Sequence, residues 1–498
     1  MRGGPLKLQA LRAPMSVGRD DEIMSNLLST LISSATALRV YERGLNVAQN
    51  NVGNANTPGY VKQSVQPLAM AFDPARGLSG GVLAGEVRSS RNGYAEQYVR
   101  RHAELAGFAA QNVASLTAIE NVIALSAENS IPVALGSLFQ AFSAWSQDPN
   151  SQTARQHVLD QAESVTHAFR RTTSELTAVR QETDLNLRNT ADQINTLAGR
   201  LQEFNRLRQQ GERTDAGLDA RIHATLEELS ELVNFTALHQ DDGTVTVLLG
   251  GQSLLVEGER AYDVKLAFRV LSEPPPVYPE GGDSARILNA DGSDVTGLLS
   301  GGKLGALLDI RNRALPSLLG DGQNMGELNR LAGTLAAQVN SILADGWVRN
   351  GESGATALFV VDPSNPAAAA KSLALDPAVT AQDLPAIAPG DPPVSNGTAL
   401  RLAGLGQAAS PALQNLTLVE FYGTIAGSIG RDVQSGRDVR DQQLGFLANA
   451  RSMRDEISGV SLDEEAIVML QYQRAYQATA RMIATLSALT EETINMMR

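Results

Sequence analysis

Three short stretches place residue types at spacings that chemistry could use. Gly77-Leu78-Ser79-Gly80-Gly81 fits G-x-S-x-G, the pattern in which a serine nucleophile sits on a sharp strand-to-helix turn. Val82 and Leu83 continue in strand-like sequence, so the elbow that would present the Ser79 hydroxyl is not expected. Gly297 to Gly302-Lys303 has the spacing of a phosphate-binding loop, but Leu304 stands where a Ser or Thr hydroxyl would hold magnesium. Gly404-Leu405-Gly406 with Ala409 imitates a dinucleotide fingerprint, yet no βαβ unit surrounds it and Pro411 interrupts the helix it should open. The 5 histidines, His102, His157, His167, His223 and His239, form no H-E-x-x-H, and His157 and His167 lie too far apart on one predicted helix to share a metal. Asp463, Glu464 and Glu465 could imitate paired catalytic carboxylates, but Ser461-Leu462-Asp463-Glu464 is a capping box that explains them. Asn50, Asn51, Asn54 and Asn56 read as turn and cap residues. No catalytic, cofactor or metal site is expected; the enzyme alternative is a secreted hydrolase using Ser79.

Composition points away from chemistry too. With 498 residues, two to four domains are expected. Lys plus Arg number 41 against 54 Asp plus Glu, and the net charge of -13 repels phosphate backbones and anionic lipid. Neither nucleic acid nor a membrane surface is an expected partner. With 0 cysteines there are no disulfides or thiolate ligands, so stability must come from packing and assembly. No apolar run is long enough to span a membrane, and the first residues lack the apolar core of a signal peptide. Met1 to Ile23, with Pro5 and Pro14, resemble neither a helix nor the pattern that begins at Met24, which makes Met24 the expected natural start and 1–23 a doubtful extension.

The elements are mainly helical. From Ser25 to Val52 one heptad position reads Leu31, Leu38, Leu45, Val52, flanked by Leu28, Tyr41 and Ala48, which is an amphipathic helix with one narrow stripe. Asn54-Ala55-Asn56-Thr57-Pro58-Gly59-Tyr60 comes next, with Pro58 and Gly59 placed for a type II turn. Residues 61–87 read as short strands. Helix is expected from about Ala95, with pauses at Ile131-Pro132 and Asp148-Pro149, and as one rod from about 153 to 208. Strands are expected between Thr244 and Phe268, helix from Leu304 to Asn340, and helix again from Leu413 to Ile457 with breaks near Gly427, Gly430 and Gly436. A final helix runs from the Ser461 and Glu464 cap toward Arg498, with Met469, Tyr476, Ile483 and Met497 on one heptad position beside Tyr472, Leu486 and Ile494. The predicted fold class is mainly α with β insertions: terminal helices pairing as an α-helical coiled coil, a long helical bundle, and a small β-rich or irregular inserted domain. The expected domains are 24–94 with 455–498, 95–346 with 413–454 containing a β segment at 235–300, and a variable insertion at 347–412.

Two single-stripe helices at opposite ends cannot bury their stripes alone. They either dock on their own domain as a closed bundle or wait for neighbours.

Ala37-Leu38-Arg39-Val40-Tyr41-Glu42-Arg43-Gly44-Leu45-Asn46, leading into Asn54 and Ala55-Asn56-Thr57-Pro58-Gly59-Tyr60, resembles the amino-terminal signature of the flagellar rod, hook and hook-associated proteins. Ser458 to Glu465 with Tyr472-Gln473-Arg474-Ala475-Tyr476-Gln477 resembles their carboxy-terminal signature. Asp148 to Gln156, Leu218-Asp219-Ala220-Arg221, and Gly250-Gly251-Gln252-Ser253-Leu254-Leu255-Val256 are similar to the hook-associated protein 1 family. Ser89, Asn92 and Ile222 depart from the pattern and put particular salt bridges in doubt. The resemblance implies a non-enzymatic structural protein at the hook-filament junction, with a hook or distal rod protein as the alternative. It further implies export through the flagellar type III apparatus without a cleaved signal peptide, and assembly of identical subunits through Leu28, Leu31, Leu38, Tyr41, Leu45, Val52, Met469, Tyr472, Tyr476, Ile483, Leu486 and Ile494. Hook protein, a second hook-associated protein and a cytoplasmic chaperone on the carboxy-terminal region are the implied partners.

Overall fold

The computed structural model describes residues 17–73, 78–125, 129–211, 215–269, 284–349, 351–354 and 357–496. The helices are α1 (Val17–Asn54), α2 (Gly93–Val122), α3 (Ile131–Gln147), α4 (Gln152–Gln209), α5 (Ala216–Leu232), α6 (Gly302–Asp309), α7 (Leu315–Leu319), α8 (Glu327–Ala344), α9 (Ala369–Ser372), α10 (Gly397–Gly404), α11 (Leu418–Ser458) and α12 (Leu462–Met496). The strands are β1 (Gln63–Ala69), β2 (Phe72–Asp73), β3 (Leu78–Ser79), β4 (Val82–Ser89), β5 (Phe235–His239), β6 (Val245–Leu249), β7 (Ser253–Glu257), β8 (Arg260–Ala261), β9 (Lys265–Arg269), β10 (Ser284–Leu288), β11 (Trp347–Arg349), β12 (Glu352–Ser353), β13 (Phe359–Val360) and β14 (Ala374–Leu375). The fold is mainly α with small β insertions. Residues up to 96, 214–224 and 451–498 form one compact unit, and 97–213 with 225–450 form a second.

In the terminal unit, α1 and α12 run antiparallel, and β1 pairs with β4 in a hairpin extended by β2 and β3. Helix α1 is described from Val17, so 17–23 are helical where the sequence reads as irregular. The rest of the 1–23 extension lies outside the described residues. The segment 214–224 belongs to this unit although it is remote from both ends in sequence, and no local pattern announces that.

The second unit is built on α4, a helix of 58 residues and so roughly 87 Å long at about 1.5 Å per residue. The Ser151 hydroxyl caps it, accepting from Ala154 N at 3.2 Å. Its core joins Trp145, Phe142 and Phe139 of α3, Val165, Phe169 and Leu176 of α4, Leu331, Leu335 and Val339 of α8, and Phe421 and Tyr422 of α11. Residues 347–412 are no separate insertion: Leu358, Phe359, Leu373, Leu384, Ala399 and Leu402 enter the same core. Their Pro, Gly and Ala content hides this, because short strands and turns carry each apolar contact singly and leave no period to read. Helix α11 runs unbroken through Gly427, Gly430 and Gly436. A Cβ on Gly436 would stand 3.0 Å from Val113 Cγ2, so this glycine lets α11 approach α2 closely, and packing outweighs its low propensity.

Asparagines on helices clamp the strands. Asn205 accepts from Val245 N and donates to Val245 O and Gly258 O, each at 2.9 Å, holding the antiparallel sheet β5-β6-β7-β8 against α4. Asn195 does the same with Val264 N and O, and Asn312 with Ala285 N and O. Replacing Asn205 by Ala leaves three buried backbone groups without their partner and is expected to lower stability by about 2 to 4 kcal/mol, read from the urea midpoint at unchanged slope.

Candidate assembly interface

None of the catalytic patterns takes its catalytic form. Ser79 lies in β3 and the chain continues into β4, so no helix follows it. Gly302 has φ of +65° and meets the backbone of Leu232 and Val233, while the Glu104 carboxylate lies against Gly301; the start of α6 is thus filled by protein and faces an acid. Gly406 packs on the Phe139 ring, and α10 precedes this glycine pair instead of following it. Among the described residues, no three of His, Cys, Asp and Glu gather as metal ligands.

What the terminal unit does build is a helix pair with a small, partly polar seam. Ser34 Oγ meets Met482 Sδ at 3.6 Å, Gly44 lies against the Tyr472 ring, Tyr41 and Tyr472 stand 6.4 Å apart, and Asn51 Nδ2 donates to Glu465 Oε2 at 3.0 Å. Later residues of α1 meet earlier residues of α12, as an antiparallel pair requires. A Cβ on Gly44 would fall 2.6 Å from Tyr472 Cζ, so the glycine admits the tyrosine ring. The seam of α1 is therefore Ser34, Tyr41, Gly44, Ala48 and Asn51. Leu31, Leu38 and Leu45 sit beside it, half-buried, and Leu28 and Val52 are exposed. On α12, Met469, Tyr472, Ile483 and Leu486 are half-buried, and Tyr476 and Ile494 are exposed.

The end of the seam is fixed by hydrogen bonds. Asn51 and Glu465 are each only 1% exposed. Asn51 Nδ2 also donates to Gln63 O at 2.9 Å, and its Oδ1 accepts from Gln63 N at 3.0 Å and from the Tyr60 hydroxyl at 2.9 Å. Burial, and secondarily the Glu465 charge, push the Tyr60 hydroxyl up to about 12. Lys62 Nζ bridges Glu464 at 3.0 Å and Glu465 at 3.1 Å, and its bond to Glu464 raises its pKa. Ser461 Oγ accepts from Glu464 N at 3.4 Å, but the Glu464 carboxylate goes to Lys62 and not back to the cap amide. The ion pair with Lys62 draws the carboxylate away from the cap, so only half of the expected capping box forms.

The turn sits on a second node. Tyr60 N donates to Thr57 O at 3.0 Å, Gly59 has φ of +74°, and a Cβ there would stand 2.5 Å from Ala220 O. Pro58 and Asn56 are exposed, while Asn54 bonds back to Asn50 O at 3.0 Å and its Oδ1 accepts from Thr57 Oγ1 at 3.2 Å. Arg91 donates to Gly59 O at 2.7 Å and to Asp219 Oδ2 at 2.8 Å and pairs with Glu96, whose other oxygen lies 3.8 Å from His223 Nδ1. Asn92 caps α2 by accepting from Tyr94 N and Ala95 N. Arg91 thus ties the turn to Glu96 and Asp219, an arrangement that no local pattern announces because Asp219 is remote in sequence.

Helical phase places the apolar flank. Leu31, Leu38 and Leu45 of α1 and Met469, Tyr476 and Ile483 of α12 line one edge of the seam of the antiparallel pair, half-buried except for the exposed Tyr476. The geometry is that of a closed, internally satisfied helix pair presenting a long apolar shoulder.

Known proteins share this construction. Residues 116–359 match the flagellar hook-associated protein FlgK helical domain, and residues 452–496 match the flagellar basal body rod FlgEFG protein C-terminal domain. Flagellar hook-associated protein 1 of Bacillus subtilis is 24% identical over 95% of this chain and 99% of that protein. The Escherichia coli protein of the same name is 23% identical over 66% of this chain and 59% of its own length. The structure of the flagellar hook junction protein FlgK from Burkholderia pseudomallei superposes with a TM-score of 0.61 at 14% identity, over 74% of this chain and 100% of that one, which establishes a shared fold. One chain thus carries matches to a FlgK-type helical domain and to a rod-type carboxy-terminal domain. Along nearly its whole length the chain is similar to flagellar hook-associated protein 1.

Proposed function

We propose that this chain is a structural, non-enzymatic subunit of the hook-filament junction, and that copies join through the apolar flank of the α1 and α12 pair. The observation that carries the reading is that these apolar side chains stay partly exposed along the edge of a helix pair that the seam already joins. Burying each flank side chain contributes roughly 1.5 to 3 kcal/mol, and a ring multiplies such contacts. The partners are further copies of the chain, with hook protein and a second hook-associated protein at the two faces of the ring. A cytoplasmic chaperone holds the α12 region before export by the flagellar type III route. Ile483→Asp tests the reading: the purified protein keeps its circular dichroism and solubility, while cells carrying it make hooks without filaments. Normal swimming would rule the flank out.

A further inference from the structure

The chain holds three Asn-Gly pairs, Asn92-Gly93, Asn350-Gly351 and Asn396-Gly397, a dipeptide prone to lose ammonia without an enzyme because glycine leaves its own amide nitrogen unscreened. Asn350 lies outside the described residues. The other two pairs each open a helix, α2 and α10, yet their surroundings are opposite. At Asn92 the side-chain oxygen accepts from Tyr94 N at 3.0 Å and Ala95 N at 3.2 Å, two of the N–H groups that a helix start leaves without carbonyl partners. Among the described residues, neither Asn92 Nδ2 nor Gly93 N donates a hydrogen bond. A Cβ on Gly93 would meet no heavy atom within 4 Å beyond its own stretch of chain, and this glycine is exposed to water. At Asn396 each of these groups is held. Its Nδ2 donates to Ser146 O at 2.9 Å, Gly397 N donates to Val394 O at 3.1 Å, and a Cβ on Gly397 would stand 2.5 Å from Ala388 Cβ.

We infer that Asn92 is a site of spontaneous deamidation and that the fold protects Asn396 from the same reaction. In the step, Gly93 N gives up its proton and bonds to Asn92 Cγ, and the carbonyl electron pair moves onto Oδ1. The negative charge falls between Tyr94 N–H and Ala95 N–H at the positive end of α2, as in an oxyanion hole. Nδ2 takes up a proton and leaves as ammonia, closing a succinimide, and water opens that ring at one of its two carbonyls. Opening at Cγ leaves aspartate, whose carboxylate keeps the cap and adds a charge that the helix start favours. Opening at the backbone carbonyl leaves isoaspartate, which lengthens the main chain by a methylene and removes the capping side chain from α2. The two products differ beside Arg91, so the node of Arg91, Gly59 O and Asp219 is kept in the first and displaced in the second.

The test ages the purified full chain in mildly alkaline buffer, folded and in parallel unfolded in urea, and follows the peptides carrying Asn92 and Asn396 by mass spectrometry. In the folded chain Asn92 is expected to convert about tenfold faster than Asn396, the factor that one hydrogen bond held on the leaving group supplies. In urea the two are expected to convert at similar rates, because the dipeptide is the same. Equal rates in the folded chain, or a lead for Asn396, overturn the inference. A lead for Asn92 that persists unchanged in urea overturns it too, since the cause would then be the flanking residues and not the fold. Gly93→Ala, whose methyl enters open space, is expected to keep its circular dichroism and to slow conversion at Asn92 about tenfold. Undiminished conversion in that variant overturns attack by Gly93 N. Labelling by an isoaspartate-specific methyltransferase is expected at residue 92 as conversion proceeds, and conversion without this label overturns the succinimide route.

Discussion

Arg91→Met is expected to lower the stability of the terminal unit by about 3 to 5 kcal/mol. The side chain ties Gly59 O of the turn, Asp219 of α5 and Glu96 of α2 into one node. Methionine fills much of the volume but leaves Glu96, 3% exposed, as a buried carboxylate without its guanidinium. The loss is read by urea unfolding, and adding Glu96→Gln to Arg91→Met is expected to restore more than half of it, since most of the cost is the stranded charge. A loss under about 1 kcal/mol would place the pair among weak surface bridges.

Gly44→Val acts on the seam itself. The new side chain must enter the volume of the Tyr472 ring, which already touches the place of a Cβ. Overpacking of this sort costs about 1 to 3 kcal/mol, and here it forces α1 and α12 apart along their length because each is one continuous helix. Faster amide exchange throughout α12 and loss of filament attachment are expected, and Tyr472→Ala is expected to recover the exchange protection by vacating the space. Protection unchanged in Gly44→Val would mean that the helices tolerate a wider separation than the seam implies.

The sequence makes the helices legible and the seam illegible, for one physical reason. Leu31, Leu38 and Leu45 announce an amphipathic face because hydropathy is large where side chains are large. Ser34, Gly44 and Asn51, which bring α1 against α12, are small or polar and leave no hydropathic trace, whereas Tyr41, Ala48 and Tyr472 of the seam do fall among the residues that periodicity picks out. The apolar stripe that periodicity reports is the flank beside the contact. Turn chemistry is readable at Pro58 and Gly59, since few residues accept φ of +74°. The nodes around Arg91 and Asn51 are not, because their members come from separate stretches and each is locally unremarkable. The asparagine clamps at Asn195, Asn205 and Asn312 escape notice too, since a mid-helix asparagine reads as a solvent-facing position until the strand it holds is seen. Residues 347–412 mislead in the opposite direction, their composition suggesting independence where their few apolar side chains complete a shared core.

Asn51 and Glu465 touch across 414 positions of chain. Closing so long a loop costs about 5 kcal/mol in chain entropy before any contact is made, which makes this union slow as well as late. During synthesis α1 is complete while the residues it needs are still unmade, and throughout that interval the terminal unit cannot exist. Order of manufacture thus sets when the α1 and α12 pair can close, and anything that holds α12 away afterwards extends the same interval by keeping α1 without its mate.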